Sequence, residues 1–300
     1  MTRPEVRIYE VGPRDGLQAE ASVVPTEAKL QFIGMLADAG LHEIEATSFV
    51  RPDAIPQLAD ADQLMAGLDR RTQVRYPVLV PNQRGLERAI ASQVDAICLM
   101  TAATDAYVQA NIGMTIDQSL AAFAPLVAEA RQRGWWIRAY VSTAFGCPYD
   151  GEVDARAVVA VAERLLRLGV DELSISDTVG VAGPIDVRRV LGALSEAGIG
   201  SDVIALHLHD TRGTALANVM AGLELGIRCF DASTGGTGGS PYAPGSAGNL
   251  ATEDLVYLLD REGVRSEVDL ERVLEAGRVI AAQLGREVMS KMGRAGGWPR

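Results

Sequence analysis

Three hundred residues, 48% of them hydrophobic, suffice for a sizeable core, while a net charge of -11 argues against a nucleic-acid partner, which would require a basic patch or stripe. No run approaches the ~18 uninterrupted apolar residues of a membrane span. The three cysteines, Cys98, Cys147 and Cys229, are too scattered for a disulfide framework or zinc ribbon, and the N-terminus lacks a signal-peptide core, so a cytoplasmic protein with no membrane partner is expected.

The first short apolar run is VRIYEV (6–11), followed by GPRDGLQ and a helix-like stretch, PTEAKLQFIGMLADAG. That stretch has Pro25 near its first turn, Leu30, Ile33, Leu36 and Ala37 on one face, and Gly40 at its end. Further runs are EIEAT (43–47), VRYPVLV (74–80), DAICLM (95–100) and WIRAYVS (136–142). ELSIS (172–176), VIALHLH (203–209) and RCFDAS (228–233) complete the set. Each is brief, often β-branched and bounded by polar or glycine residues, as buried parallel strands are. Helical patterns recur between them: DARAVVAVAERLLRLG closes on Gly169, PIDVRRVLGALSEAG on Gly198, and TALANVMAGLELG and NLATEDLVYLLDREG follow.

Eight strand-like runs, each followed by a helix, predict an α/β protein: a single (β/α)8 TIM barrel in one domain over residues 1–300. The barrel is expected over about 5–265, with a helical extension over about 266–300 containing one extra helix near 269–292. A doubly wound sheet is the alternative, but its first strand is usually followed by a glycine-rich phosphate loop, which VGPRDGLQ is not. Trp135 and Trp136 open the fifth run, on the lower side of such a barrel, where packing is their expected role.

Barrel enzymes keep their chemistry at the C-terminal ends of the strands, and the unusual polar residues fall there. Arg14, Asp15 and Gln18 follow the first run, and Glu45 lies in the second. Arg138 lies in the fifth with Ser142 at its end, Asp177 closes the sixth, and His207 and His209 close the seventh. His207 and His209 are two apart on a strand, so they share a face. They read either as half of a metal site or as two buried, hydrogen-bonded histidines. With carboxylate and amide oxygens the set suits a hard divalent ion, Mg²⁺ or Mn²⁺. Asp15 is a candidate ligand, and Arg14 a candidate stabiliser of a developing oxyanion, because guanidinium keeps its charge when buried. Glu10, Glu45 and Asp177 are carboxylates in apolar runs, which burial obliges to find partners. Glu10 reads as structural; Glu45 and Asp177 read equally as partners of Arg14 or Arg138, or as a general base or a carboxylate that orients another site residue.

EVGPRDGLQ (10–18), IEATSFV (44–50), GCPYDG (146–151), ISDTVGV (175–181), HLHDTRGTALAN (207–218) and GGSPYAPGSAGNLATEDLVYLL (238–259) occur in this order along the chain. Together they resemble the signatures of the 3-hydroxy-3-methylglutaryl-CoA lyase family. The resemblance implies a metal held by Asp15, His207, His209 and Asn249, with Arg14, Asp15, Glu45, Asp177 and Ser240 as catalytic positions. It implies an acyl-CoA thioester substrate, a homodimer, and a place in leucine degradation. By their places at the strand ends, Arg14, Gln18, Arg138 and Ser142 are the expected substrate contacts. The loop over 238–249 is expected to close over the site. Family members ordinarily carry a cysteine where Ser240 stands, and a hydroxyl is the weaker proton donor near neutral pH. The expected activity is cleavage of a 3-hydroxy-3-methylacyl-CoA to acetyl-CoA and a keto acid. The alternatives are a lyase for another 3-hydroxyacyl-CoA such as citramalyl-CoA, a related synthase running toward condensation, and a barrel that keeps the metal for binding or regulation alone.

Overall fold

The computed structural model describes residues 5–240 and 243–296, and of residues 239–240 and 243–247 the backbone alone. The strands are β1 (Arg7–Glu10), β2 (two segments, Glu43–Ile44 and Thr47–Ser48), β3 (Val78–Leu79), β4 (Ala96–Ala102), β5 (Trp136–Ser142), β6 (Glu172–Asp177), β7 (Ile204–Leu208) and β8 (Cys229–Ala232). They are parallel neighbours in chain order, and β1 also pairs with β8. Between its two segments β2 bonds to both flanks. The Glu45 N–H donates to the Glu10 carbonyl at 2.9 Å, and the Ala46 N–H to the Pro77 carbonyl at 2.9 Å. These bonds close the ring into the expected barrel.

Strand alternation sorts the side chains into two sets. Ile8, Ile97, Leu99, Ile137, Leu173, Ile175, Leu206 and Phe230 face outward into the main core. Tyr9, Cys98, Tyr140, Ala205 and Cys229 form a separate cluster inside the barrel. The outer set is covered by α1 (Thr26–Asp38), α2 (Ala61–Gly67), α3 (Gln83–Ala91), α4 (Asp105–Ile112), α5 (Ile116–Gln132), α6 (Ala155–Leu168), α7 (Pro184–Glu196), α8 (Ala215–Glu224) and α9 (Thr252–Glu262). On α1 the pattern works as read: Ile33 and Leu36 are fully buried together with Phe32, each contributing about 1.5–3 kcal/mol. Among the described residues, no helix is long and apolar enough to cross a membrane.

Two details differ from expectation. Two helices, not one, follow β4: Gly113 ends α4 in a left-handed conformation (φ 70°), and a reciprocal cap between Thr115 and Gln118 starts α5 at once. The C-terminal extension is α10 (Leu270–Gln283) and a short α11 (Lys291–Ala295), separated at Gly285 (φ 67°), rather than one helix. Trp136 packs at the lower end of the barrel as expected, its ring 6.3 Å from that of Tyr9 and 4.5 Å beneath the Arg75 guanidinium.

Buried carboxylates fasten the segment after β8. Glu10 accepts hydrogen bonds from the Gly12 N–H (2.8 Å), the Thr234 N–H (2.9 Å) and hydroxyl (2.6 Å), and the Thr252 hydroxyl (2.7 Å), which makes it structural. Glu253 accepts from the Gly235 N–H at 3.0 Å and the Ser290 hydroxyl at 2.6 Å. Burial dominates those hydrogen bonds and pushes its carboxyl up to about 7. The folded chain therefore holds this proton where the unfolded chain, ionising near 4.5, has lost it. Stability from this group is present below pH ~4.5 and is lost as pH rises toward ~7, by about 3 kcal/mol in all. Urea unfolding of Glu253→Gln should show a shallower loss between pH 4.5 and 7.5 than the parent. Equal slopes would reject the assignment.

Candidate active site

The turn after β1, Gly12–Gly16, is a π-type turn that aims Arg14 and Asp15 over the barrel mouth. It lies close against the segment after β8. A side chain at Gly16 would come within 2.3 Å of Thr237 Oγ1 and 2.7 Å of Ser233 Oγ, so glycine is required there. Arg14 is 2% exposed. Its Nε donates to Glu45 Oε1 at 2.8 Å, its Nη2 to Glu45 Oε2 at 3.1 Å, and its Nη1 to Asp15 Oδ1 at 2.5 Å. Burial disfavours the cation, but Glu45 and Asp15 outweigh it, and Arg14 stays charged. Glu45, fully buried, also accepts a hydrogen bond from the Tyr140 hydroxyl. It is thus the arginine partner of the two readings, and it points Arg14 at the mouth.

His207 and His209 share the inward face as predicted, with Nε2 atoms 3.1 Å apart. Ligand atoms of Asp15, His207 and His209 all lie within 4.8 Å of one another, the one such cluster among the described residues. Asn249 joins them because its backbone bridges to His209, and its Nδ2 donates to Asp15 Oδ2 at 2.9 Å. His207 Nδ1 meets Asp231 Oδ2 at 3.1 Å, which leaves its Nε2 lone pair facing the cluster. Burial, reinforced by His207, holds His209 down at about 3 against the pull of Asp15. Burial would raise Asp15, but Arg14, both histidines and Asn249 together bring it to about 2. At neutral pH a carboxylate and an unprotonated imidazole therefore stand ready. The buried Nδ1 of His209 has no hydrogen-bond partner, and two imidazole nitrogens converge on one carboxylate. This donor set fits a divalent cation.

A cavity of about 330 Å³ opens beside the cluster, lined by Arg14, Asp15, Gln18, Ser142, His207 and His209, among others. A larger one, about 630 Å³, lies at the opposite end of the barrel, around Arg7, Glu43 and Arg75. There Arg7 and Arg75 are both paired with Glu43, at 2.6 and 2.7 Å, and the cavity contains neither His207 nor His209. The smaller cavity is the one at the strand C-termini, where barrel chemistry sits.

Two expected site residues stand away from the cavity. Arg138 lies beneath the cavity, fully buried inside the barrel, with Nη2 2.5 Å from Asp231 and Nε 3.1 Å from Glu172, so it is not placed to touch a substrate. The guanidinium stacks on the Tyr9 ring at 3.7 Å. Asp177 accepts from the N–H groups of Val181 and Ala182, both at 3.0 Å, and burial pushes its carboxyl up. It thus fastens the loop after β6 and does not line the cavity. The backbone of Ser240 forms a short hairpin, Gly239–Ser240 with Ala243–Ala247; its side chain lies outside the described residues.

Residues not anticipated include Tyr140, two positions before Ser142 on the same inward face, and Asp231, which orients His207. Asp231 carried the same signal as Glu10 and Glu45, a carboxylate in an apolar run, and was legible by that rule.

Fold and mouth together define an α/β-barrel enzyme working at the C-terminal ends of its strands. A family model described as HMGL-like matches residues 5–280. The chain is 45% identical over 287 residues to the hydroxymethylglutaryl-CoA lyase YngG of Bacillus subtilis, covering 96% of each chain. A crystal structure of the Bacillus subtilis HMG-CoA lyase matches with a TM-score of 0.95 at 44% identity, covering 98% of both chains. An HMG-CoA lyase from Acinetobacter baumannii in complex with coenzyme A and 3-methylmalate matches at 0.92 and 38% identity, over 99% of this chain and 97% of that one. The chain belongs to the HMGL-like family.

Proposed function

We propose that this chain, acting as one domain, cleaves a 3-hydroxy-3-methylacyl-CoA such as hydroxymethylglutaryl-CoA into acetyl-CoA and a keto acid. The observation that carries the reading is the convergence of Asp15, His207 and His209 beside a charged, buried Arg14 at the barrel mouth. Relatives spanning nearly the whole chain are hydroxymethylglutaryl-CoA lyases, and one of them holds coenzyme A, which supports an acyl-CoA substrate.

Asp15, His207, His209 and Asn249 would hold Mg²⁺ or Mn²⁺, which acidifies the substrate's tertiary hydroxyl when bound. Asp15 lines the cavity and Asp177 does not, so Asp15 is by position the one of the two within reach of the hydroxyl proton. As the carbon–carbon bond breaks, its electron pair passes to the carbon next to the thioester, which takes up a proton to become acetyl-CoA. Arg14, held by Glu45, stabilises the negative charge that develops on oxygen. Gln18 and Ser142 line the substrate's side of the cavity. Ser240 stands in the loop position that carries a thiol in the family, and it is assigned to the proton-delivery step. Three free, buried cysteines suit the cytoplasm, and a homodimer follows the family pattern.

The test is a panel of 3-hydroxy-3-methylacyl-CoA thioesters given to chelator-treated protein with and without Mg²⁺ or Mn²⁺, with acetyl-CoA as the readout. Activity should vanish on chelation and return with either ion. Full activity in the chelated protein, or no acetyl-CoA from any thioester, would sink the reading.

A further inference from the structure

The family match stops at residue 280, yet the chain runs on across the back of the glycine-rich loop. That loop leaves the barrel at Thr234–Gly238 and returns at Gly248–Asn249, where Asn249 bridges to His209. Both roots are gripped by the C-terminal segment. At the outgoing root, the Met289 N–H donates to the Gly235 carbonyl at 3.1 Å. Arg286 Nη2 donates to Glu20 Oε1 at 2.5 Å, and the same oxygen accepts the Gly238 N–H at 3.1 Å.

At the returning root, Lys291 Nζ bonds Asp210, the residue after His209. The Asp210 N–H donates to the Gly248 carbonyl at 2.7 Å. Asp254 anchors the segment from below, accepting the Lys291 N–H at 3.1 Å and the Met292 N–H at 2.7 Å. Lys291 is itself largely exposed, but Asp210 and Asp254 are 7% and 3% exposed, and its ammonium lies 3.7 Å from the latter. Its charge therefore serves two buried carboxylates, which distinguishes this contact from an ordinary surface ion pair.

We propose that residues 286–292 form a strap whose Arg286 and Lys291 are positioning residues: they set the spacing between the two roots of the loop and thereby hold Asn249 in register with His209. Neither residue lines the cavity. The consequence for metal affinity rests on the metal reading above; the consequence for loop order does not.

The experiment compares the parent with Lys291→Met, Arg286→Met and Lys291→Arg, all metal-free, by hydrogen–deuterium exchange resolved to peptides. Faster exchange confined to 233–250 is expected in both methionine variants, with β4–β6 unchanged and Lys291→Arg restored toward the parent. Unchanged exchange, or acceleration spread evenly over the barrel strands, would overturn the strap. A second arm titrates Mn²⁺ by electron paramagnetic resonance, where the methionine variants should bind about 10-fold more weakly than the parent. A parent that binds no Mn²⁺ defeats the metal reading and leaves the exchange result to decide the strap. A parent that binds with variants of equal affinity defeats the link from strap to Asn249.

Discussion

Arg14→Lys should lower kcat by about 10²- to 10³-fold while KM changes little, because its guanidinium acts on charge that develops in the transition state. The geometry gives the reason. Two nitrogens of Arg14 fork onto Glu45, at 2.8 and 3.1 Å, and a third reaches Asp15 at 2.5 Å. Lysine keeps a cation beside Glu45, so the barrel should fold, but a single ammonium cannot satisfy the fork and still face the mouth. Steady-state kinetics alongside urea unfolding separate the effects. An unchanged kcat would remove Arg14 from the chemistry.

Arg138→Leu should destabilise the chain by about 3–5 kcal/mol, because it leaves Asp231 a buried carboxylate without its guanidinium and leaves Glu172 with Arg7 alone. The same change should loosen His207, whose Nδ1 is held by Asp231 at 3.1 Å. The expectation from the sequence is different: an arginine in contact with substrate, whose loss would raise KM. Urea unfolding with KM measurements chooses between the two. A stable protein with a raised KM would show that Arg138 reaches the substrate after all.

Asp231 explains why one half of this site was read and the other missed. The histidines were legible because a strand repeats every two residues, so His207 and His209 had to share a face. Asp15 and Arg14 were legible because they follow a strand-like run at the end where barrels carry their chemistry. Which carboxylate meets which cation was not legible. Glu45, Asp177 and Asp231 all sit in apolar strands, and the sequence does not say that they pair with Arg14, loop amides and Arg138 respectively. Those pairings depend on the stagger of neighbouring strands around a closed ring.

By itself, then, the sequence determined the barrel and the cluster at its mouth. Alternating short apolar runs and capped helices admit few other folds, and period-two strands set the direction of each side chain. Tertiary structure alone decided the division of labour: Glu45 aims Arg14, Asp177 fastens a loop, Arg138 lies beneath the cavity, and residues 286–292 brace the glycine-rich loop. These outcomes rest on contacts between residues up to about 270 positions apart, such as Arg286 with Glu20. Burial compels each charge to find a partner, but only the folded ring determines which partner is within reach.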